Sequence, residues 1–313
     1  MKKTAKAFAP SAISSFFEIC DQTREGNPIK DLTYVGARGG GFGLQRGVLT
    51  RVTVTEAENE SIQVFINGHP APEAKTTETT LRILMKKTKN KYHVVANHEI
   101  DVPIGAGFGT SAGGALTAGL ALKEALGLPL TNNQVGVAAH VAEIQCQTGL
   151  GTVSSLAQGG GCMLVVEPGA PGVCMLDSIP LKPEYEVVAG VFRSIPKTTL
   201  FSSAEKRLEV NRYGRKTLDR ILAEPTLENF LACCWQFALE TGFATSRVKN
   251  LVNLAQKAGA VGAAQNMVGE AVHAVVLEEE ATDVAEAFKQ VLPKENVFVS
   301  KLDFQGARLM AGV

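Results

Sequence analysis

The stretch Pro103–Ala115, PIGAGFGTSAGGA, decides how this chain folds. It holds five glycines, one threonine and one serine, and runs directly into the apolar LTAGLALKEALGL of residues 116–128. Flexible backbone ahead of a helix makes room for an anion, because the first helical turn leaves N–H groups unpaired and its dipole favours negative charge. Three nucleotide-loop readings compete with a plain one. A P-loop needs Lys-Ser or Lys-Thr after its last glycine, and this loop has no lysine. A Rossmann fingerprint is nearly met by Gly107–Ala112, but the acid at the required spacing, Glu124, falls inside the helix rather than after a second strand. There remain a different nucleotide loop, with Ser111 within reach of a metal ion, and a glycine-rich turn that lets two elements pack tightly.

Working outward, the helix begins at Ser111 and ends near Leu126, before Gly127 and Pro129. A second helix opens at Thr131, where Thr131 and Gln134 fit a capping box, and stops before Gly149. A loop or short helix follows, then a strand ending near Pro168. The first ~100 residues read as strand-rich by alternation, with turn signals at RGGG (38–41) and NGHP (67–70). Residues 184–192 read as a strand, about 203–258 as helix broken at Pro225 and Gly242, 259–276 as glycine and apolar residues entering a strand, 281–292 as an amphipathic helix, and 295–310 as a closing strand. The domains expected are 1–180 and 181–313.

Composition narrows the class. The 313 residues are 45% hydrophobic and 20% charged, with zero formal net charge, which suits a soluble globular chain with a sizeable core. That balance argues against nucleic-acid and membrane-surface partners. Apolar runs are too interrupted for a membrane span, and the N-terminal AKAFAPSAISSFF is too broken by Pro10 and Ser11 for a signal peptide. Six cysteines without metal spacing read as thiols of a cytoplasmic protein.

Several ordered segments together resemble the GHMP kinases, and most of all their archaeal pantoate kinase branch. PIGAGFGTSAGGALTAGLALKEALGL is similar to the central motif of that superfamily, FAPSAISSFFEI (8–19) to its first, AAHVAEIQCQTGLGTV (138–153) to its acidic helix and following loop, GAVGAAQNMVGEAVHAVV (259–276) to its third motif, and SKLDFQGARLM (300–310) to its closing strand. The likeness implies an α+β, two-domain fold: an N-terminal mixed α/β domain carrying the nucleotide loop, and a C-terminal ferredoxin-like domain across a cleft. It implies ATP and magnesium as cofactors, a small hydroxylated substrate and a homodimer. Pro103, Gly105, Gly107, Phe108, Gly109, Thr110, Ser111 and Ala112 would wrap the phosphates. Ser111 and Glu143 would be the catalytic, magnesium-holding pair. Arg38, His140 and Thr152 would face the substrate, Arg38 pairing bidentately with a carboxylate. For His140 a bond to a backbone carbonyl is the competing reading, and for Arg38 a solvated turn.

Three positions depart from the family pattern. Thr152 stands where a Gly-Leu-Gly-Asp loop has its aspartate, Pro10-Ser11-Ala12 where Pro-Gly-His is usual, and Ala37 where a serine is expected. All three are expected on the substrate side. Threonine is no general base near neutral pH. Either positioning and charge neutralisation suffice for phosphoryl transfer, to pantoate or another small hydroxy-acid, or a base such as Asp21 is recruited, or the chain binds nucleotide with little turnover.

Overall fold

The computed structural model describes residues 2–194 and 203–311. Two long antiparallel strands, β1 (Lys2–Cys20) and β2 (Gly36–Glu56), form the spine of an eight-stranded sheet. Around them lie β3 (Ser61–Ile66), β4 (His69–Pro70), β5 (Tyr92–Ile100), β6 (Cys162–Glu167), β7 (Met175–Ile179) and, from the far end of the chain, β12 (Arg308–Leu309). One face of this sheet is covered by α1 (Lys75–Met85), α2 (Thr110–Leu126), α3 (Asn132–Gln145) and α4 (Thr152–Gln158). α2 is apolar nearly all round and is buried between α1, α3 and the two long strands. The capping box is present in full: Gln134 N–H donates to Thr131 Oγ1 at 3.2 Å and Thr131 N–H to Gln134 Oε1 at 2.9 Å.

The second sheet is four-stranded and antiparallel, ordered β11-β8-β10-β9, from β8 (Tyr185–Ser194), β9 (Gly262–Gln265), β10 (Gly269–Leu277) and β11 (Val297–Lys301). Helices α5 (Ala204–Ala223), α6 (Leu227–Glu240) and α7 (Ser246–Lys257) lie between β8 and β9 in sequence, and α8 (Ala281–Lys289) between β10 and β11. That is the split βαβ order of a ferredoxin-like domain. A shared core of Phe16, Phe42, Phe108, Phe230 and Phe237 joins the two halves.

Three expectations need correction. RGGG at 38–41 is strand interior: an added Cβ on Gly41 would overlap the Ile13 carbonyl, so the glycines let β1 and β2 approach closely around a register shift between Ser14 and Phe16. NGHP, by contrast, does turn, with Asn67 and Gly68 at φ 49° and 83°. Helix α1 lies within the stretch read as strand-rich. Its KTTETTLRILM favours strand by residue type, yet Thr76, Thr77, Thr80, Leu81, Leu84 and Met85 bury one helical stripe. Finally, the closing stretch splits between both sheets, β11 in the second and β12 beside β1 in the first. Residues 308–309 therefore complete the N-terminal sheet.

Candidate active site

The glycine segment delivers α2 into a junction between two cavities. Gly109 is the N-cap, held left-handed at φ 65°, and the first turn carries neither a side-chain cap nor an acidic residue. First-turn N–H groups without a side-chain cap, at the positive end of a helix, are the arrangement that favours an anion. Thr110 and exposed Ser111 line a cavity of about 300 Å3, together with Gly114, Thr76, Thr77 and His98. Phe108 and Ala112 bury their side chains in the core, so only their backbones can meet a ligand. Half-buried Pro103 and exposed Gly105 lie at the start of the loop. His98 wires this cavity to the sheet: Nδ1 meets Thr50 Oγ1 at 2.7 Å and Nε2 meets Thr77 Oγ1 at 3.1 Å, and Thr50 continues to Thr117 on α2. Burial pulls the His98 pKa down to about 4, so the ring is neutral.

A second cavity, of about 170 Å3, lies across the helix head and is lined by Ala12, Ala37, Arg38, Thr152, Met267 and Val268 among others. All three positions that depart from the family pattern thus gather in one place. The two spaces adjoin along one loop, Thr148 lining the first and Gly149–Thr152 the second. Gly109 lines neither cavity but adjoins both walls: Thr110 beside it lines the first, and an added Cβ on it would lie 2.9 Å from Thr152 Cγ2 and 3.2 Å from Ala12 Cβ, which belong to the second. Ala12 N–H donates to the Phe108 carbonyl at 3.0 Å, which locks the first motif to the loop.

Glu143, on α3, is almost wholly buried, and its Oε2 accepts the Gly151 N–H at 3.3 Å. The carboxylate therefore supports the 149–151 loop from beneath. His140, one turn earlier, is fully buried; its Nε2 donates to the Val35 carbonyl at 2.9 Å, and burial lowers its pKa against the pull of that bond. It does not line the second cavity.

Arg38 is the one charged side chain on that cavity's wall among the described residues. It sits in strand β2 rather than in a turn, and three of its donors are engaged: with Glu18 at 3.1 Å, Glu167 at 3.3 Å and the Val166 carbonyl at 3.1 Å. Glu18, itself buried, also accepts from Arg215 at 2.6 Å. Although burial opposes its charge, the bond to Glu18 holds the Arg38 pKa above its ordinary value. Asp21 is paired with Arg207 and lines neither cavity.

Residues 75–160 match the family described as GHMP kinases N terminal domain. The chain is 30% identical over 296 residues to a pantoate kinase of Thermococcus kodakarensis, covering 93% of each chain. The chain belongs to the GHMP kinase family. A pantoate kinase of Methanocaldococcus jannaschii is 27% identical over 283 residues, 90% of this chain and 96% of the relative. A solved structure described as a phosphotransferase related to the CoA biosynthesis pathway superposes with a TM-score of 0.85 at 26% identity, over 99% of both chains.

Sequence reading of this GHMP kinase missed Met267 and Val268, which reach the second cavity from the other domain, His98 in the wall of the first, and Arg215 behind Glu18. The segment 259–276 resembles a family motif, but only the fold shows that its Met267 and Val268 line the cavity.

Proposed function

We propose that this chain is an ATP-dependent kinase that transfers the γ-phosphoryl group to the primary hydroxyl of pantoate, giving 4-phosphopantoate for coenzyme A synthesis. The observation that carries it is the adjacency of two cavities at the head of α2: Thr110 and Ser111 of the uncapped first turn line one, and Thr152 and Ala12, which an added Cβ on Gly109 would touch, line the other. In this reading a triphosphate in the first has its end toward an alcohol in the second. The acceptor cavity is chiefly apolar with one guanidinium, which suits pantoate's paired methyl groups and single carboxylate. The pantoate kinase relatives support the same substrate.

In this reading backbone N–H groups at 107–112 cradle the phosphates and stabilise charge on the transferring group. By donor chemistry Ser111 and Glu143 would hold a magnesium ion, one hydroxyl and one carboxylate being hard oxygen donors; Glu143 is buried, lines neither cavity and engages the Gly151 N–H through Oε2, so it would act from behind the 149–151 loop. Magnesium would supply neutralisation of the β- and γ-phosphate oxygens. Arg38 turns from Glu167 to the acceptor carboxylate. The fully buried His140 acts by fixing the 32–35 turn through Val35. Thr152 packs beside the reacting alcohol, and no carboxylate or imidazole lines that cavity among the described residues. The hydroxyl proton therefore passes to phosphate oxygen as the new P–O bond forms and the bond to ADP breaks.

ADP formation by the purified protein with magnesium, across pantoate, homoserine, mevalonate, shikimate and a blank, tests the proposal. Turnover with pantoate alone supports it. Turnover with another alcohol moves the substrate, and silence with retained ATP binding overturns the kinase reading. The proposal includes a cytoplasmic homodimer, checked by light scattering. No helix among the described residues is long and apolar enough to cross a membrane.

A further inference from the structure

The 266–269 turn belongs to the C-terminal domain yet touches both halves of the site. Met267 and Val268 line the acceptor cavity. On its other side an added Cβ on Gly107 would lie 3.1 Å from Asn266 Cβ, and one on Gly269 would lie 2.8 Å from the Ala106 carbonyl oxygen. Nucleotide loop and turn are therefore in contact with no spare room. Whatever fixes this turn fixes the position of the phosphate loop and one wall of the acceptor cavity together.

A buried polar chain does so. Ser15 sits at the register shift between Ser14 and Phe16, where β1 carries one residue more than β2. A bulge re-aims a side chain, and this one sends the Ser15 hydroxyl into the other domain. Its Oγ lies 3.0 Å from His273 Nε2, and His273 Nδ1 lies 2.9 Å from Asn266 Oδ1. Ser15, His273 and Asn266 are all fully buried. The amide oxygen only accepts, so Nδ1 carries the proton and Nε2 accepts the serine O–H. Burial pulls the His273 pKa down to about 3, which keeps the ring neutral and this single tautomer in place. Beside the chain, Met267 N–H donates to the Ser14 carbonyl at 2.6 Å, and Phe42 meets the imidazole edge-on at 5.5 Å. The Ser-His-Asn order is that of a nucleophile relay, but Ser15 lines neither cavity and has no exposure, so it reaches no substrate.

We propose that Ser15, His273 and Asn266 are positioning residues for phosphoryl transfer, clamping the C-terminal domain's 266–269 turn against the nucleotide loop and the acceptor cavity. This rests on the kinase reading above. Asn266 Nδ2 has no hydrogen-bond partner among the described residues, so the chain is wired along one path, Ser15 to His273 to Asn266 Oδ1. A buried chain of this kind selects one geometry, and loosening it costs preorganisation rather than a contact with substrate.

The test compares Ser15→Ala, His273→Leu and His273→Gln with wild type. The readouts are the Kd for AMP-PNP with magnesium, kcat and KM for pantoate, and the melting temperature. Gln can donate and accept in the same directions as the imidazole; Leu can do neither. His273→Leu and Ser15→Ala should each lower kcat/KM about tenfold or more and raise the AMP-PNP Kd severalfold, whereas His273→Gln should recover most of both. If Ser15→Ala remains folded with wild-type Kd and kcat/KM, or if Gln and Leu behave alike in a folded protein, the positioning role is overturned and the chain is merely structural. Nucleotide binding without pantoate turnover in the wild type overturns the substrate assignment alone, and the Kd comparison still decides the clamp. Absence of nucleotide binding in the wild type overturns both.

Discussion

Two glycines bound α2 with the same backbone and different surroundings, and replacing each with alanine separates conformation from contact. Gly109 precedes the helix and Gly127 follows it, both at φ 65°. An L-residue in that left-handed region costs about 1–2 kcal/mol, so both variants bear this penalty. Around Gly127 an added Cβ meets nothing within 4 Å, whereas at Gly109 it meets Thr152 Cγ2 at 2.9 Å and both Cβ and the carbonyl oxygen of Ala12 at 3.2 Å. Two of those neighbours belong to rigid β1, so the new methyl displaces the helix head or the 149–152 loop. Overpacking of this kind adds about 1–3 kcal/mol. Urea unfolding should therefore place Gly109→Ala below Gly127→Ala by about 2 kcal/mol. Activity should divide more sharply: Gly127→Ala keeps wild-type kcat/KM, and Gly109→Ala loses about tenfold or more, since a small displacement at the phosphate loop is costly. Thr152→Ser, which deletes only the Cγ2 methyl, should recover part of the stability of Gly109→Ala. Equal stability and equal activity of the two alanine variants would refute the tight packing of Gly109 against Ala12 and Thr152 as what sets the α2 head against the acceptor-cavity wall.

Ser111→Ala and Glu143→Gln should each lower kcat by at least about an order of magnitude through lost charge stabilisation; unchanged turnover in both, measured by ADP release, removes the magnesium assignment. Thr152→Asp should raise kcat if the site lacks only a base, and lower it if the pocket is built around threonine beside Gly109. Stability should fall on acidification: the unfolded chain protonates its histidines below about pH 6.5, while folded His98 stays neutral down to about 4 and folded His273 to about 3. The unfolded state binds more protons, so this contribution is complete above pH 6.5 and is lost as pH falls, at up to about 1.4 kcal/mol per pH unit for each histidine. Urea midpoints between pH 6.5 and 5, where carboxylates still hold their charge, should show a shallower slope in His98→Gln.

Local chemistry was legible where one segment sufficed. The glycine run before α2, the capping box at Thr131 and Gln134, the breaks at Pro225 and Gly242, and the turn at Asn67–Gly68 are each decided by neighbours in sequence. Motif order carried the two-domain fold. What remained hidden depended on partners far along the chain. RGGG at 38–41 reads as a turn until β1 lies against it, because only the close approach of Ile13 and Phe16 shows why those positions lack side chains. Helix α1 reads as strand from its threonines until the stripe they bury against α2 outweighs their propensity. Family resemblance put Ala12, Ala37 and Thr152 on one side, where they do share a cavity, but nothing in the sequence indicated that Arg38 is shared between Glu18 and Glu167. Sequence patterning records what each segment does for itself, through propensity, capping and periodicity. Charge pairing, cavity walls and the joining of Ser15 to His273 across 258 positions arise only when separate elements are packed, and that packing decided the site.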